Sequence, residues 1–130
     1  MLNNKRVVMM IDDNEIDLKI NSKIVTIAKL FDEIVLCKSG TEGMDYLNKY
    51  INEEEKLPNH ILLDIQMPDM NGFDFLEHYK NLPKAFTGNC QVIMLSSSLD
   101  FGDITRAEAN PYVIKLLRKP LSPTELSQLL

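Results

Sequence analysis

The sequence predicts an α/β fold: a doubly wound, five-stranded parallel sheet with helices on both faces. Three observations carry that prediction. Five short apolar runs alternate with helical patterns along 130 residues. The first run is continuous rather than alternating, as suits a strand covered on both sides. The polar residues capable of chemistry sit just after the runs, where an open parallel sheet brings strand ends to one crevice.

Each element follows in order. Val7-Val8-Met9-Met10-Ile11 reads as the first strand. Ile16, Ile20, Ile24, Ile27 and Phe31 recur every three or four residues and predict an amphipathic helix with these residues as its apolar stripe. Ile34-Val35-Leu36 is the second strand, closed by Ser39-Gly40. Met44, Leu47 and Ile51 mark the second helix, and the charged stretch Asn52 to Lys56 reads as its solvated end and a loop. Ile61-Leu62-Leu63-Asp64-Ile65 is the third strand, with Pro68 and Asn71-Gly72 punctuating the loop after it. Phe73, Leu76 and Tyr79 begin the third helix, which Pro83 stops. Val92-Ile93-Met94-Leu95 is the fourth strand. Asp103 to Ala109 form a weak fourth helix with Ile104 as its main apolar anchor. Val113 to Leu117 form the fifth strand, and the interior Lys115 points to an edge position. The last helix opens with Ser122-Pro123-Thr124-Glu125: an N-cap serine, a proline at the first helical position and a capping-box glutamate.

Composition bounds the function. A single domain over residues 1–130 is expected at this length. The hydrophobic fraction of 45% and charged fraction of 25% are those of an ordinary globular domain. No apolar run approaches the roughly 18 residues of a membrane span. The opening Met1-Leu2-Asn3-Asn4-Lys5-Arg6 leads into only a short apolar run, which argues against a secretory signal. The net charge of −5 and the lack of any long basic run argue against direct nucleic-acid binding. Cys37 and Cys90 fit no zinc or redox spacing and read as reduced thiols of a cytoplasmic protein. His60 and His78 end no strand at the crevice and read as incidental.

The strand ends carry the chemistry. The first strand ends in Asp12-Asp13, the third in Asp64, the fourth in Ser96-Ser97-Ser98 and the fifth in Lys119-Pro120. An isolated carboxylate closing a core strand is costly to desolvate. Repulsion from Asp12 and Asp13 adds to that cost at Asp64. A hard divalent cation relieves both, and Mg²⁺ typically takes one or two carboxylates, waters and phosphate oxygens. Lys119 is then a candidate counter-ion for transferred phosphoryl oxygens. The Ser96 hydroxyl is placed to bond an oxygen in the crevice. A blander account has Asp12 capping the first helix, Asp64 starting a turn and Lys119 pairing with one of them. It accounts for each residue singly but not for four strand ends together.

On these residues the chain resembles a response-regulator receiver domain, the phospho-acceptor half of two-component signalling. Asp12-Asp13 resembles the family's metal-binding pair, and Leu62 to Gly72 resembles its phospho-acceptor segment, including Pro68 and Asn71-Gly72. Val92 to Ser96 is similar to the strand that ends in the switch hydroxyl, Lys119-Pro120 to the family's Lys-Pro, and Ser39 to Glu42 to the turn into the second helix. The likeness covers residues 5 to 130 in order.

The resemblance implies a flavodoxin-like strand order, 2-1-3-4-5. It implies that Asp64 takes a phosphoryl group from the phosphohistidine of a histidine kinase or histidine phosphotransfer protein. Asp13, Asp64 and the Gln66 backbone carbonyl would hold Mg²⁺, with Asp12 acting mainly through water. Lys119 and Ser96 would bond phosphoryl oxygens, while Gln66 and Ser98 would tune the lifetime of the phosphate. A downstream protein would dock on the fourth helix, fifth strand and last helix. The protein would be no enzyme beyond its own phosphorylation and dephosphorylation, and the Lys119–Pro120 bond would be cis. One departure stands out: Leu116 occupies the position where the family usually has an aromatic. Leu116 is therefore expected to stay packed under the fourth helix, with residues 97–103 and that helix carrying the switch. Three rivals stand beside this reading. A haloacid-dehalogenase-type phosphatase wants a second aspartate where Gln66 stands. A flavodoxin-like electron carrier wants a glycine- and hydroxyl-rich loop where Asp12-Asp13 stand. A non-phosphorylated scaffold module is separated from a receiver only by a phosphorylation assay.

Overall fold

The computed structural model describes residues 5–130. Met1 to Asn4, which the expected domain and the leader argument take in, lie outside the described residues. The chain runs β1 (Val7–Ile11), α1 (Glu15–Ala28), β2 (Glu33–Cys37), α2 (Gly40–Lys49), a 3₁₀ turn (Glu54–Lys56), β3 (His60–Asp64), α3 (Gly72–Tyr79), a single turn α4 (Lys84–Thr87), β4 (Gln91–Ser96), α5 (Phe101–Ala109), β5 (Val113–Arg118) and α6 (Pro123–Gln128). All strand pairings are parallel, in the order β2-β1-β3-β4-β5. β5 is an edge strand, as Lys115 indicated, and its Lys115 is exposed.

The central strands are buried because the sheet is covered twice. Met9, Ile11, Ile61, Leu63, Val92 and Met94 point to one face and pack with Leu47, Phe75, Leu76, Tyr79 and Ala107 from α2, α3 and α5. Val8, Met10, Leu62, Ile93, Leu95 and Leu117 point to the other and pack with Leu18, Val25 and Leu126 from α1 and α6. Alternate residues of each strand serve opposite faces, and full burial of each such side chain stabilises by about 1.5–3 kcal/mol.

Several expectations need correction. Three residues of the α1 stripe face outward, Ile16 being 71% exposed, Ile20 47% and Ile27 73%, while Ile24 and Phe31 pack half-buried against the core. The buried face is Leu18, Asn21 and Val25. Asn21 is tolerated there because its Oδ1 accepts the Leu121 N–H at 3.1 Å, which ties α1 to the entry of α6. Phe31 lies beyond the helix, which ends where Lys29 takes a left-handed φ of 55°. Ile51 lies beyond α2, and the charged stretch after it holds the 3₁₀ turn. Pro83 stops α3 as expected but also caps the unexpected turn α4, so the fourth and fifth sequence helices are α5 and α6. α5 is anchored by buried Ala107 rather than by Ile104, which is only half-buried. The capping box at α6 has one arm, from the Glu125 N–H to the Ser122 hydroxyl at 3.2 Å; the complete box is Asn71 with Asp74 at α3. Leu116 is half-buried and packs against the cluster that holds Ala107, on the α5 side of the sheet.

Candidate functional site

The strand ends do converge. Asp12 and Asp13 follow β1, Asp64 closes β3, Ser96 closes β4 and Lys119 follows β5. Backbone bonds hold these ends together: Asp12 N–H donates to Cys37 O at 3.1 Å, Ile65 N–H to Leu95 O at 3.0 Å and Lys119 N–H to Ser96 O at 2.8 Å. The Lys119–Pro120 bond is cis. α3 begins against Asp64 itself, with the Gly72 N–H donating to Ile65 O at 2.8 Å. A Cβ at Gly72 would lie 2.7 Å from the Asp64 carbonyl oxygen and 3.0 Å from Ile65 Cα, so this close approach requires glycine.

The acidic residues form one cluster. Asp12, Asp13 and Asp64 each offer a carboxylate oxygen, and these oxygens lie within 4.8 Å of one another. Asp12 and Asp64 are buried, while Asp13 is exposed. Three convergent carboxylate oxygens form a hard donor set that could hold a metal ion. The Gln66 side chain is exposed at the rim.

Lys119 closes the cluster. Its Nζ lies 3.0 Å from Asp12 Oδ2, 3.0 Å from Asp17 Oδ2 and 3.1 Å from Asp64 Oδ1. Burial pushes the Asp64 carboxyl up to about 6, and the neighbouring Asp12 charge pushes the same way; Lys119 opposes both without cancelling them. Burial alone would lower the Lys119 ammonium, but Asp17, Asp12 and Asp64 together hold it above the ordinary lysine value. Asp17 is the residue that sequence reasoning missed.

Ser96 is buried beside the cluster, but its hydroxyl turns into its own loop. It donates to Ser98 O at 2.5 Å and accepts from Ser98 N–H at 3.2 Å. To bond an oxygen in the crevice the hydroxyl would have to turn out of this loop. Ser98 is exposed two residues on. Beside the Asp64 loop, an open cleft of about 490 Å³ runs from Gln66 and Asn71 to Asp103 and Arg106 of α5. The Arg106 guanidinium sits 4.0 Å above the Phe73 ring centroid and links α5 to α3 across that cleft.

The other candidates lie elsewhere. His60 opens β3 at the far end of the strand, where its Nε2 pairs with Gln91 Oε1 at 3.1 Å; burial lowers its pKa. His78 is an exposed residue of α3. Cys37 and Cys90 are free and buried, and burial pushes both thiols up to about 12.

Comparisons with known proteins agree with this geometry. The family model described as "Response regulator receiver domain" matches residues 8–130. A two-component response regulator from Cytophaga hutchinsonii superposes with a TM-score of 0.90 at 31% identity, covering 98% of this chain and 95% of its own. A response regulator receiver protein from Dyadobacter fermentans gives 0.86 at 36% identity, covering 95% and 94%. Among curated relatives, a response regulatory protein of Staphylococcus epidermidis is 31% identical over 100 residues, 77% of this chain. The chain spans 35% of that relative's length.

Proposed function

Because the chain belongs to the response-regulator receiver family, we propose that it is a phospho-acceptor in a two-component phosphorelay, with Asp64 as the acceptor. The observation that carries this reading is the setting of Asp64: a buried carboxylate beside Asp12 and Asp13 and in contact with Lys119. An Asp64 carboxylate oxygen attacks phosphorus. The new P–O bond forms as the P–N bond of the donor phosphohistidine breaks, and the leaving imidazole keeps the electron pair and takes up a proton. The product is an acyl phosphate. Asp12, Asp13, Asp64 and the Gln66 backbone carbonyl would hold Mg²⁺, Asp12 mainly through water. Bound Mg²⁺ supplies neutralising charge for the phosphoryl oxygens. Lys119 pairs with one of those oxygens.

Ser96 supplies the switch. To bond a phosphoryl oxygen its hydroxyl must leave Ser98 O, which alters the segment leading into α5. This biases a surface of α5, β5 and α6 toward a downstream protein partner. Leu116 keeps its packing meanwhile. Gln66 and Ser98 flank the approach of a hydrolytic water and tune phosphate lifetime. The catalysis is confined to the protein's own phosphorylation and dephosphorylation.

Residues 1–130 form one receiver domain on this reading. Its donor is a histidine kinase or histidine phosphotransfer protein. Among the described residues no helix is long and apolar enough to cross a membrane. We assign the chain to the cytoplasm, where free thiols such as Cys37 and Cys90 stay reduced.

The test is intact-mass spectrometry after treatment with acetyl phosphate and Mg²⁺. Wild type should gain one phosphoryl group and Asp64→Asn none. Equal uptake by the variant would overturn the assignment.

A further inference from the structure

We infer that Asp17 is a positioning residue that holds Lys119 in the unphosphorylated protein and yields it when a phosphoryl oxygen on Asp64 takes its place. The inference rests on Asp64 as the acceptor and adds a competitor for the lysine.

A lysine ammonium has three N–H donors. All three have a carboxylate within reach here: Asp12, Asp17 and Asp64 at 3.0, 3.0 and 3.1 Å. Acyl phosphate formation removes the Asp64 carboxylate charge and sets an anionic phosphoryl group in its place, which then competes with Asp12 and Asp17 for the ammonium. The Asp12 side chain is 5% exposed, so stripping it of Lys119 leaves a buried carboxylate with only the metal to balance it. Asp17 is 35% exposed, so water can replace the lysine. Asp17 is the partner that costs least to release.

The local backbone directs Asp17 to this role. It is the third residue of α1 after the N-cap Asn14, and its N–H donates to Asn14 Oδ1 at 3.0 Å. An acidic side chain at that position ordinarily turns back to the N-cap N–H. α3 does this in the same molecule: Asp74 accepts from Asn71 N–H at 3.1 Å. In α1 the Asn14 N–H is already taken by Asp12 Oδ1 at 2.9 Å. The Asp17 carboxylate reaches across to Lys119 instead. Asp12 thus sets both ends of the arrangement, holding Lys119 directly and turning Asp17 toward it.

Removing the Asp17 charge should leave Lys119 with a donor ready for the phosphoryl position. The probe is beryllofluoride, a phosphoryl mimic, titrated in saturating Mg²⁺ and followed by the backbone amides of Ser96 and Lys119 in NMR spectra. Asp17→Asn keeps the side-chain shape and should tighten binding about three- to tenfold. Asp17→Ser should act in the same direction, and Asp17→Glu should return toward wild type. The Lys119 side-chain ammonium signal should shift in Asp17→Asn before any beryllofluoride is added, which a merely structural role for Asp17 would not produce. The gain should persist at high salt, since through-space repulsion is screened there and a direct contact far less so. Unchanged or weaker binding by Asp17→Asn, or a gain that vanishes at high salt, would overturn the role of Asp17 while leaving Asp64 in place. A wild type that does not respond to beryllofluoride, or an Asp64→Asn variant that responds equally, would instead overturn the reading of Asp64 and this inference with it.

Discussion

Replacing Asp64 by asparagine should make the metal-free protein more stable at neutral pH, although it removes the proposed acceptor. Asp64 is 4% exposed, and burial with the adjacent Asp12 charge lifts its carboxyl from 3.8 to about 6 despite Lys119. The folded state therefore binds this proton more tightly than the unfolded chain does. Stability from the protonated form is present below 3.8 and is lost as pH climbs through about 6. The gap between those values corresponds to about 3 kcal/mol, present in full only above pH 6. Asparagine is neutral throughout and escapes that loss. Urea unfolding of both proteins in chelator, at constant ionic strength from pH 4 to 8, reads the difference directly. Asp64→Asn should lead by up to about 3 kcal/mol at pH 7.5 and by almost nothing at pH 4. Excess Mg²⁺ should narrow the lead, because wild type gains RT ln(1 + [L]/Kd), roughly 2.7 kcal/mol at a hundredfold excess over Kd. A variant no more stable than wild type at pH 7.5 in chelator, or a lead independent of pH, would refute the account of a strained carboxylate.

Two further substitutions probe the scaffold. Lys29→Gly should stabilise by about 1 kcal/mol in chemical denaturation, since the α1 C-cap sits at φ 55° where a Cβ is disfavoured; a loss of stability would show that the lysine side chain matters more than its backbone. Leu116→Ala should cost about 1–2 kcal/mol, below the range for a fully buried leucine because the residue is half-buried, and should still take up phosphoryl at Asp64; loss of uptake in folded protein would make Leu116 part of the chemistry.

The sheet and its chemistry were legible because both are written locally. Each central strand is an unbroken apolar run, and each reactive residue directly follows one, so Asp12, Asp13, Asp64, Ser96 and Lys119 could be placed without knowing any contact. The outer layer was less legible. In α1 the most apolar stripe, Ile16, Ile20 and Ile27, faces outward, and the buried face includes Asn21. Hydropathy ranks Asn21 as a surface residue. What buries it is a bond to Leu121 N–H, 100 residues away, and no window along the sequence contains both partners. The direction of the Ser96 hydroxyl in the unphosphorylated protein was not legible for a related reason. Its position was fixed by the strand, but its rotor has an acceptor at Ser98 O two residues on, and local side-chain bonds of this kind compete with longer ones.

Asp17 shows how a site residue can be hidden in a familiar pattern. Asn14-Glu15-Ile16-Asp17 and Asn71-Gly72-Phe73-Asp74 are both an N-cap asparagine followed by an aspartate three residues on. Read alone, both predict a capping box, and at α3 the box forms. At α1 it does not, because the N-cap N–H that the aspartate would accept is claimed by Asp12. An aspartate lies two residues before Asn14. Two residues before Asn71 stands Asp69 as well, so spacing alone does not separate the two cases. Backbone conformation does. Asp69 sits in a turn at φ 65°, with Met70 N–H donating to Pro68 O at 2.7 Å, and the Asn71 N–H goes to Asp74. Asp12 instead leaves the end of a buried strand, where its carboxylate lies beside both the Asn14 N–H and Lys119. The same six-residue spacing therefore gives a helix cap in one place and a third carboxylate on the lysine in the other, and the strand that precedes it decides which.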